Sequence, residues 1–455
     1  MKVTPARTVA FEVLLRVLTR SAHAAEVLYS ANSDFLKLSS VDRGLCLQIV
    51  MGLLRWQSAL DKAISSAVGG EARAAKLDDE VRIALRMGVF QLGYLERIPA
   101  NAAVNESVEL VKRARKRSAV PLVNAVLRRL AKEKETLKPS APADNSAAAL
   151  SAAFAHPQWM VERWVQQFGS DRARSICEYG QKLPETHLRV SDSSLSFLEL
   201  QEELEKEGEE VVPGRLIRNA AVVMSGDVTS SKAFQAGRIA IQDEGSQLVA
   251  ALVGQGQRIL DCCAAPGGKT AAMAERNPQS KIVAVELHEH RARKMRELVR
   301  AANVEIVTAD ARNLPLAKEE RFDRVLVDVP CSGTGTQARN PEIKWRLKEA
   351  EFADLHNKQK EIFTAALARL SPGGRLVYAT CSLEKEECED VIHAVLKEGG
   401  DFTLLDCRRI LQTLQEQKEL VWLEIDSLCH GPYLRTIPGV HPCDGFFAAV
   451  VERRA

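Results

Sequence analysis

No run of apolar residues in this chain of 455 is long enough to span a bilayer, which excludes a helical membrane protein and argues against a membrane partner. The opening Met1-Lys2-Val3-Thr4-Pro5 has no apolar core of the signal-peptide kind, so a cytoplasmic location is expected. The ten cysteines include no Cys-x-x-Cys pair, which removes the zinc ribbon and the thioredoxin-like redox site. Metal ligands are therefore not expected. In a reducing compartment disulfides are not expected either, and thiols such as Cys46 and Cys177 read as small core residues.

The composition is that of an ordinary globular protein, with 46% hydrophobic and 27% charged residues, and the length admits two to four domains. The net charge is only +2, but it is unevenly spread. Residues 1–140 hold 23 Lys+Arg against 14 Asp+Glu, so a basic N-terminal third precedes an acidic body. Such a third suits a polyanionic partner, although solvated helix faces would give the same count.

Residues 1–140 read as an all-α domain. Thr4 and Pro5 open a helix with Ala10, Val13, Leu14, Val17 and Leu18 at helical spacing. The pattern recurs over 41–68, 81–95 and 103–117, and again from Pro121 through Leu130. The fourth of these helices ends in Lys112-Arg113-Ala114-Arg115-Lys116-Arg117. Five like charges within six residues repel one another, which favours phosphate contact over a merely solvated face. Residues 138–149 are rich in Pro, Ser and Ala and read as a linker. Residues 141–238 comprise that linker and a small α+β subdomain, in which 187–191 and 220–224 are strands and 196–206 a helix, a possible split β-α-β unit.

From 239 to 455 strands and helices alternate. Strands are expected at 258–262, 281–286, 304–309, 323–329 and 374–379, with helices at 269–276, 288–302, 349–370 and 388–397. This is the pattern of a doubly wound, Rossmann-like α/β sheet, which binds ligands at the carboxyl ends of its strands. The chemistry-bearing residues fall at those ends.

In Asp261-Cys262-Cys263-Ala264-Ala265-Pro266-Gly267-Gly268-Lys269-Thr270 a strand ends and a glycine pair opens a helix. Glycines let backbone approach a ligand, and a helix N-terminus offers free N–H groups. The loop is not Gly-x-Gly-x-x-Gly, and Cys263 stands where a P-loop would have its first glycine. Glu286 ends the next strand and suits the hydroxyls of a ribose. Asp310 follows the third and suits an adenine amino group. Strand-end acids also cap helices, but in series these outline a nucleoside site without a pyrophosphate, which fits S-adenosyl-L-methionine better than NAD.

Two strand-end cysteines complete the set, in Asp328-Val329-Pro330-Cys331-Ser332-Gly333-Thr334-Gly335 and in Ala379-Thr380-Cys381-Ser382. Cytosine C5 is too electron-poor to take a methyl group directly. A thiolate that adds to C6 turns the ring into an enamine and makes C5 nucleophilic. Asp328 is placed to support the addition from N3. One cysteine suffices for addition, so the second suggests help in release. Buried structural thiols are the bland alternative.

Residues 240–455 resemble the RNA cytosine-5 methyltransferases of the Sun/Fmu group. The resemblance rests on Ile241-Gln242-Asp243-Glu244-Gly245-Ser246-Gln247, the loop from Cys262 to Lys269, both cysteine motifs and the terminal Asp444-Gly445-Phe446-Phe447. It implies that Cys381 is the nucleophile and that Cys331 assists release. It also implies cofactor contacts from Cys263, Ala264, Ala265, Pro266, Gly267, Gly268, Lys269, Glu286, Asp310 and Asp328. Residues 1–135 are similar to a NusB-type RNA-binding domain, and His156-Pro157-Gln158-Trp159 with Arg163-Trp164 to the connecting region of bacterial members. The implied substrate is one cytosine of 16S rRNA. DNA is not implied, and nothing demands more than a monomer.

Two departures stand out. The family's usual Glu-Glu-Asn is Glu386-Glu387-Cys388 here, which puts a helix-start contact in doubt. Gln337-Ala338-Arg339-Asn340-Pro341 replaces an often more basic segment, so RNA grip there could be weaker. The DNA cytosine-5 enzymes, which resemble the chemistry, would make Cys331 the nucleophile. The second cysteine and the Gly-Thr-Gly that follows the first favour Cys381. Methylation of tRNA, or a non-catalytic RNA-binding assembly factor, are the competing readings. Neutralising Arg113, Arg115, Lys116 and Arg117 together is expected to weaken RNA binding and flatten its salt dependence, measured by titration at several salt concentrations.

Overall fold

The computed structural model describes residues 3–20, 22–30, 32–191, 195–317, 319–397 and 400–455. They form two compact units, Met1–Leu183 with Gln337–Arg346, and Pro184–Thr336 with Leu347–Ala455.

The first unit is helical. Its five leading long helices are Pro5–Arg20, Ser40–Val68, Asp79–Tyr94, Ala100–Arg113 and Val120–Lys132, close to the spans read from periodicity. The Ser39 hydroxyl caps the second by accepting from the Asp42 amide at 3.2 Å, and Pro121 lies in the first turn of the fifth. Leu14, Val17, Ile49, Leu53, Leu54, Leu85 and Leu127 are wholly buried in their shared core.

The cationic cluster ends its helix early. Arg115 takes a left-handed conformation (φ 63°), its amide bonds to Lys112 O at 3.0 Å, and the Lys116 amide bonds to Val111 O at 3.1 Å. Lys116 then lies 3.1 Å from Asp78, Lys112 lies 2.6 Å from Glu109, and Arg113 donates to the Thr8 hydroxyl. Arg115 and Arg117 remain exposed.

Helices Ala147–Phe154, Gln158–Phe168 and Ser170–Gln181 also lie in this unit, whereas the sequence reading grouped 141–183 with the small subdomain. The supposed linker is helical from Ala147 on, capped by Ser146. His156 and Trp164 are buried and meet edge to face at 5.7 Å.

Residues 337–341, where the sequence suggests weaker RNA grip, lie inside the helical unit. Gln337, Ala338 and Pro341 are buried in the helical unit, and the segment from Gln337 to Arg346 is part of its interior. The Lys344 ammonium is buried and donates to Arg55 O and Ala155 O, both at 2.8 Å. Arg55 in turn donates to Ala338 O at 2.7 Å, and the Ala24 amide donates to Glu342 at 3.0 Å. The basic side chain here serves carbonyls, not phosphates, and burial pulls the Lys344 pKa well below its ordinary value.

The second unit contains two sheets. The smaller has strands β1 (Thr186–Val190), β2 (Glu210–Pro213), β3 (Ala220–Ser225) and β4 (Ile239–Ile241), in the antiparallel order β2-β3-β1-β4. Helix Phe197–Lys206 joins β1 to β2, with Ser196 and Glu199 forming a reciprocal cap. This is the split β-α-β arrangement. Sequence reading found β1 and β3 and missed β2 and β4.

The larger sheet has β5 (Arg258–Asp261), β6 (Lys281–Glu286), β7 (Val304–Thr308), β8 (Phe322–Asp328) and β9 (Leu370–Thr380) as a parallel set in the order β7-β6-β5-β8-β9. The order reverses between β5 and β8, the switch point at which such sheets open a crevice. Strands β10 (Phe402–Leu405), β11 (Cys429–His430), β12 (Tyr433–Thr436) and β13 (Phe446–Arg453) were not foreseen. They run antiparallel: β13 pairs with β9, β12 with β13, β11 with β12 and β10 with β13. The sheet is thus mixed rather than purely parallel. Ile259, Ile282, Leu326 and Val377 enter the core on one face, and Leu260, Val283, Val325 and Tyr378 the core on the other.

Glu244, at the start of helix Glu244–Val253, joins the two sheets. Its wholly buried carboxylate accepts the amides of Arg215, Leu216 and Ile217 at 3.2, 2.6 and 3.0 Å. Glu244→Ala would strand these amides, and urea unfolding should show a loss of about 3 kcal/mol or more.

Candidate active site

At the carboxyl end of β5 the chain passes through Cys262 to Gly267 before helix Gly268–Arg276 begins. The loop is tied down by backbone: Cys262 N to Leu326 O, Ala264 N to Val285 O and Gly267 N to Ala264 O, all at 2.8–2.9 Å. Gly267 has φ 107°, and a Cβ there would lie 2.5 Å from Val299. At Gly268 a Cβ would meet nothing nearer than Gln242 at 3.6 Å, so the space over the helix start is open. Arg189 of the small sheet braces the loop from outside. Its guanidinium donates to Gly268 O at 2.7 Å and to Glu275 at 2.8 Å, and it also donates to Gln242.

The acids are arranged strand by strand. Asp261 ends β5, fully buried, and accepts the Thr270 hydroxyl at 2.7 Å; burial above all pushes its pKa up to about 7. Glu286 ends β6, nearly buried, with one oxygen on the His288 amide at 2.9 Å and Arg291 3.5 Å away. Asp310 follows β7 and is gripped by Arg312, whose guanidinium holds its pKa below the usual carboxylate range. Asp328 ends β8 and accepts from the Lys269 ammonium at 2.7 Å. Burial works against the charge on Lys269, but Asp328 outweighs it and the lysine pKa is raised. The same ammonium lies 5.1 Å over the Phe446 ring.

The two expected cysteines meet. Cys331 Sγ and Cys381 Sγ are 3.3 Å apart, Cys331 after β8 and Cys381 after β9. The hydrogen bond with Cys331, then burial, raise the Cys381 pKa well above the ordinary thiol value, and Lys269 opposes them. Every residue singled out from sequence, from Cys263 through Lys269 to Glu286, Asp310, Asp328, Cys331 and Cys381, stands at or just beyond the carboxyl end of a strand in this sheet.

Sequence reasoning missed what joins the cysteine loops. Buried Glu387 accepts from the Ser332 amide at 2.9 Å, from Gln359 at 2.9 Å and from the Ser382 hydroxyl at 2.5 Å, and the Ser332 hydroxyl donates to it as well. Gln359 also donates to Pro330 O at 3.0 Å. Glu387 had been noted only as part of Glu386-Glu387-Cys388. Cys388 itself is buried just before helix Glu389–Lys397, with its thiol 3.5 Å from Ser382 O.

The terminal motif is the third partner. The Gly335 amide donates to Cys381 O and the Gly445 amide to Gly335 O, each at 2.9 Å. A Cβ on Gly335 would lie 2.3 Å from Gly445 O. Among the described residues no group of three or more His, Cys, Asp or Glu is placed to hold a metal ion, and no helix is long and apolar enough to cross a membrane.

Fold and site together are those of a methyltransferase. Residues 250–452 match the family model described as 16S rRNA methyltransferase RsmB/F, residues 4–132 that of the NusB family and residues 156–229 that of the RsmF/B-like ferredoxin-like domain. A probable ribosomal RNA small subunit methyltransferase B of Bacillus subtilis is 33% identical over 461 residues, covering 100% of both chains. The ribosomal RNA small subunit methyltransferase B of Vibrio cholerae is 31% identical, covering 91% of this chain and 90% of its own. The solved structure of PH0851 superposes with a TM-score of 0.78 at 25% identity, covering 100% of each chain. The chain belongs to the RsmB/F family of 16S rRNA methyltransferases.

The glycines separate two roles that thermal melting can distinguish. Gly335→Ala is expected to melt well below the parent and to lose activity, because the crossing with Gly445 has no room for a methyl group. Gly268→Ala should melt like the parent.

Proposed function

We propose that this protein methylates C5 of one cytosine in 16S rRNA from S-adenosyl-L-methionine, with Cys381 adding to C6 as a thiolate. The reading is carried by one observation: two thiols 3.3 Å apart beside an ion pair of Lys269 and Asp328.

The residues present suit the cofactor. The space over Gly268 admits a ligand against the helix start, and the free N–H groups there favour its carboxylate. Glu286 would hold the ribose hydroxyls, with Cys263 to Lys269 beneath and Asp310 and Asp328 at the flanks. The cofactor supplies the methyl group that C5 receives.

The chain's own work lies in handling protons. Cys381 must lose its proton before it can attack, and Lys269 is the cation beside it that favours the thiolate. Asp328, with the Lys269 ammonium as its proton-bearing partner, would support addition from N3. Cys331 would then assist loss of the C5 proton and expulsion of Cys381. Arg115 and Arg117, exposed in the cationic cluster, would meet RNA phosphates.

Methyl-labelled cofactor with unmodified 16S rRNA tests the proposal. Label on cytosine C5 is expected with the parent and none with Cys381→Ala. Label surviving in that variant would move the nucleophile to Cys331, and label appearing only on tRNA would change the substrate. Cys331→Ala should accumulate a covalent protein–RNA adduct, seen as a slow-migrating band in a denaturing gel.

A raised thiol pKa also fixes a pH dependence. Alkylation of Cys381 should be slow at neutral pH and climb through the alkaline range, because only the thiolate reacts. In Cys331→Ala the climb should start at lower pH. A flat profile would show that the thiol is already ionised.

A further inference from the structure

A cavity of about 850 Å³ opens in the second unit at the amino ends of the parallel strands, the end opposite the cysteines. Arg276, Arg324, Arg375 and Arg409 line it, with Asp406 and Glu419 as the facing acids. Arg324 stands near the start of β8, four residues before Asp328, and Arg375 stands six before Cys381. At about 3.3 Å per residue, the cavity is more than about 10 Å from the methyl-transfer centre.

The arginines are held in an unfavourable arrangement. Arg324 and Arg375 are register partners on β8 and β9, so their side chains leave neighbouring strands on the same face. A Cβ on Gly254 would lie 3.5 Å from Arg375 Nη1 and 3.9 Å from Arg324 Nε, which puts both guanidinium groups around one small residue. Both are partly buried. Burial and the neighbouring Arg324 charge pull the Arg375 pKa down, and Glu452 only partly offsets them.

Their hydrogen bonds are incomplete. The Nε atoms of Arg276, Arg324 and Arg375 are buried without a partner among the described residues. Of the facing acids, Glu419 is taken by Arg276 at 2.6 Å. Among the described residues Arg324 donates only to the neighbouring Asp323 O, at 2.7 Å. A core that needed only filling would place apolar side chains here. Two guanidinium groups side by side at one wall fit a multi-oxygen anion. The hydroxyl of Thr403 adds a donor at the wall, and the volume suits a nucleotide-sized ligand rather than a single ion.

We propose that this cavity binds a phosphate-bearing ligand at a site separate from the methyl-transfer centre. The phosphate belongs either to a free phosphorylated molecule or to an RNA backbone, and the chemistry of recognition is the same. Bound phosphate would relieve the repulsion between Arg324 and Arg375, so the site gives up some stability when empty and regains it when filled.

Thermal melting of the full chain with inorganic pyrophosphate tests this, with excess S-adenosylhomocysteine present to keep the cofactor site out of the reading. Pyrophosphate is expected to raise the melting temperature of the parent. The double substitution Arg324→Gln with Arg375→Gln should weaken that response by roughly tenfold or more in concentration. Without ligand the double variant should melt at or above the parent, since a like-charge contact has gone. Should it fail to fold, the exposed Arg409→Gln decides: weakened pyrophosphate binding supports the site, and unchanged binding overturns it. The proposal also falls if pyrophosphate has no effect on the parent, or acts equally on parent and double variant.

A short single-stranded oligoribonucleotide distinguishes the sources. If the double variant binds it more weakly with a flatter salt slope, the phosphate is that of RNA. If its binding is unchanged while the pyrophosphate response is lost, the ligand is a free phosphorylated molecule.

Discussion

Gly335 donates its amide to Cys381 and accepts from Gly445, in a crossing where a single methyl group would stand 2.3 Å from a carbonyl oxygen. Three distant stretches of chain meet there: the loop after β8, the loop after β9 and the entry to β13. The spacing of the two sulfurs follows from it, because Cys331 and Cys381 have little freedom once their loops are bonded on both sides. Glu387 completes the clamp. A buried carboxylate is costly alone, but this one accepts from Ser332, Ser382 and Gln359 and so stitches the same two loops from beneath. The placement of the two sulfurs in this fold rests on polar and backbone contacts that carry no sulfur.

The antiparallel strands give that crossing its foundation. Strand β13 pairs with β9 along its length, from Phe447 opposite Thr380 to Glu452 opposite Arg375. The end of the chain therefore fixes the strand whose tip carries Cys381. Phe446, at the start of β13, also lies beneath the Lys269 ammonium, so the same turn that positions one thiol bounds the cation beside it. Asp328, Lys269 and the cysteines behave as one electrostatic group: the lysine gains charge from the acid and lends it to the thiol.

What could be read from sequence was local. The five parallel strands were legible because each is a short apolar run ending in a residue with distinctive chemistry, and their order along the chain fixes the carboxyl-end site. Residues Phe446–Arg453 lacked that signal, since six successive buried residues show no alternation and the partner strand lies some seventy positions earlier. Strands β2, β4 and β11 are four, three and two residues long and leave almost no pattern. Glu387 and Arg189 were invisible for another reason. Each is an ordinary charged residue whose importance lies in its partners, and those partners are remote in sequence. The same remoteness hid the interior place of 337–341, which from sequence shows only as a less basic loop.

That interior segment has a consequence for how the protein is made. The helical unit needs Gln337–Arg346, yet some 150 residues separate it from the rest of that unit. Until Lys344 arrives, the carbonyls of Arg55 and Ala155 have lost the donor that satisfies them in the finished fold. A growing chain that has emerged only to residue 183 therefore holds an unfinished domain, and the last piece comes from the connection between β8 and β9. The helical part cannot reach its final state ahead of translation of the catalytic part. Synthesis itself couples the two: a chain that stops short of residue 346 lacks not only its chemistry but also a plug for the domain already made.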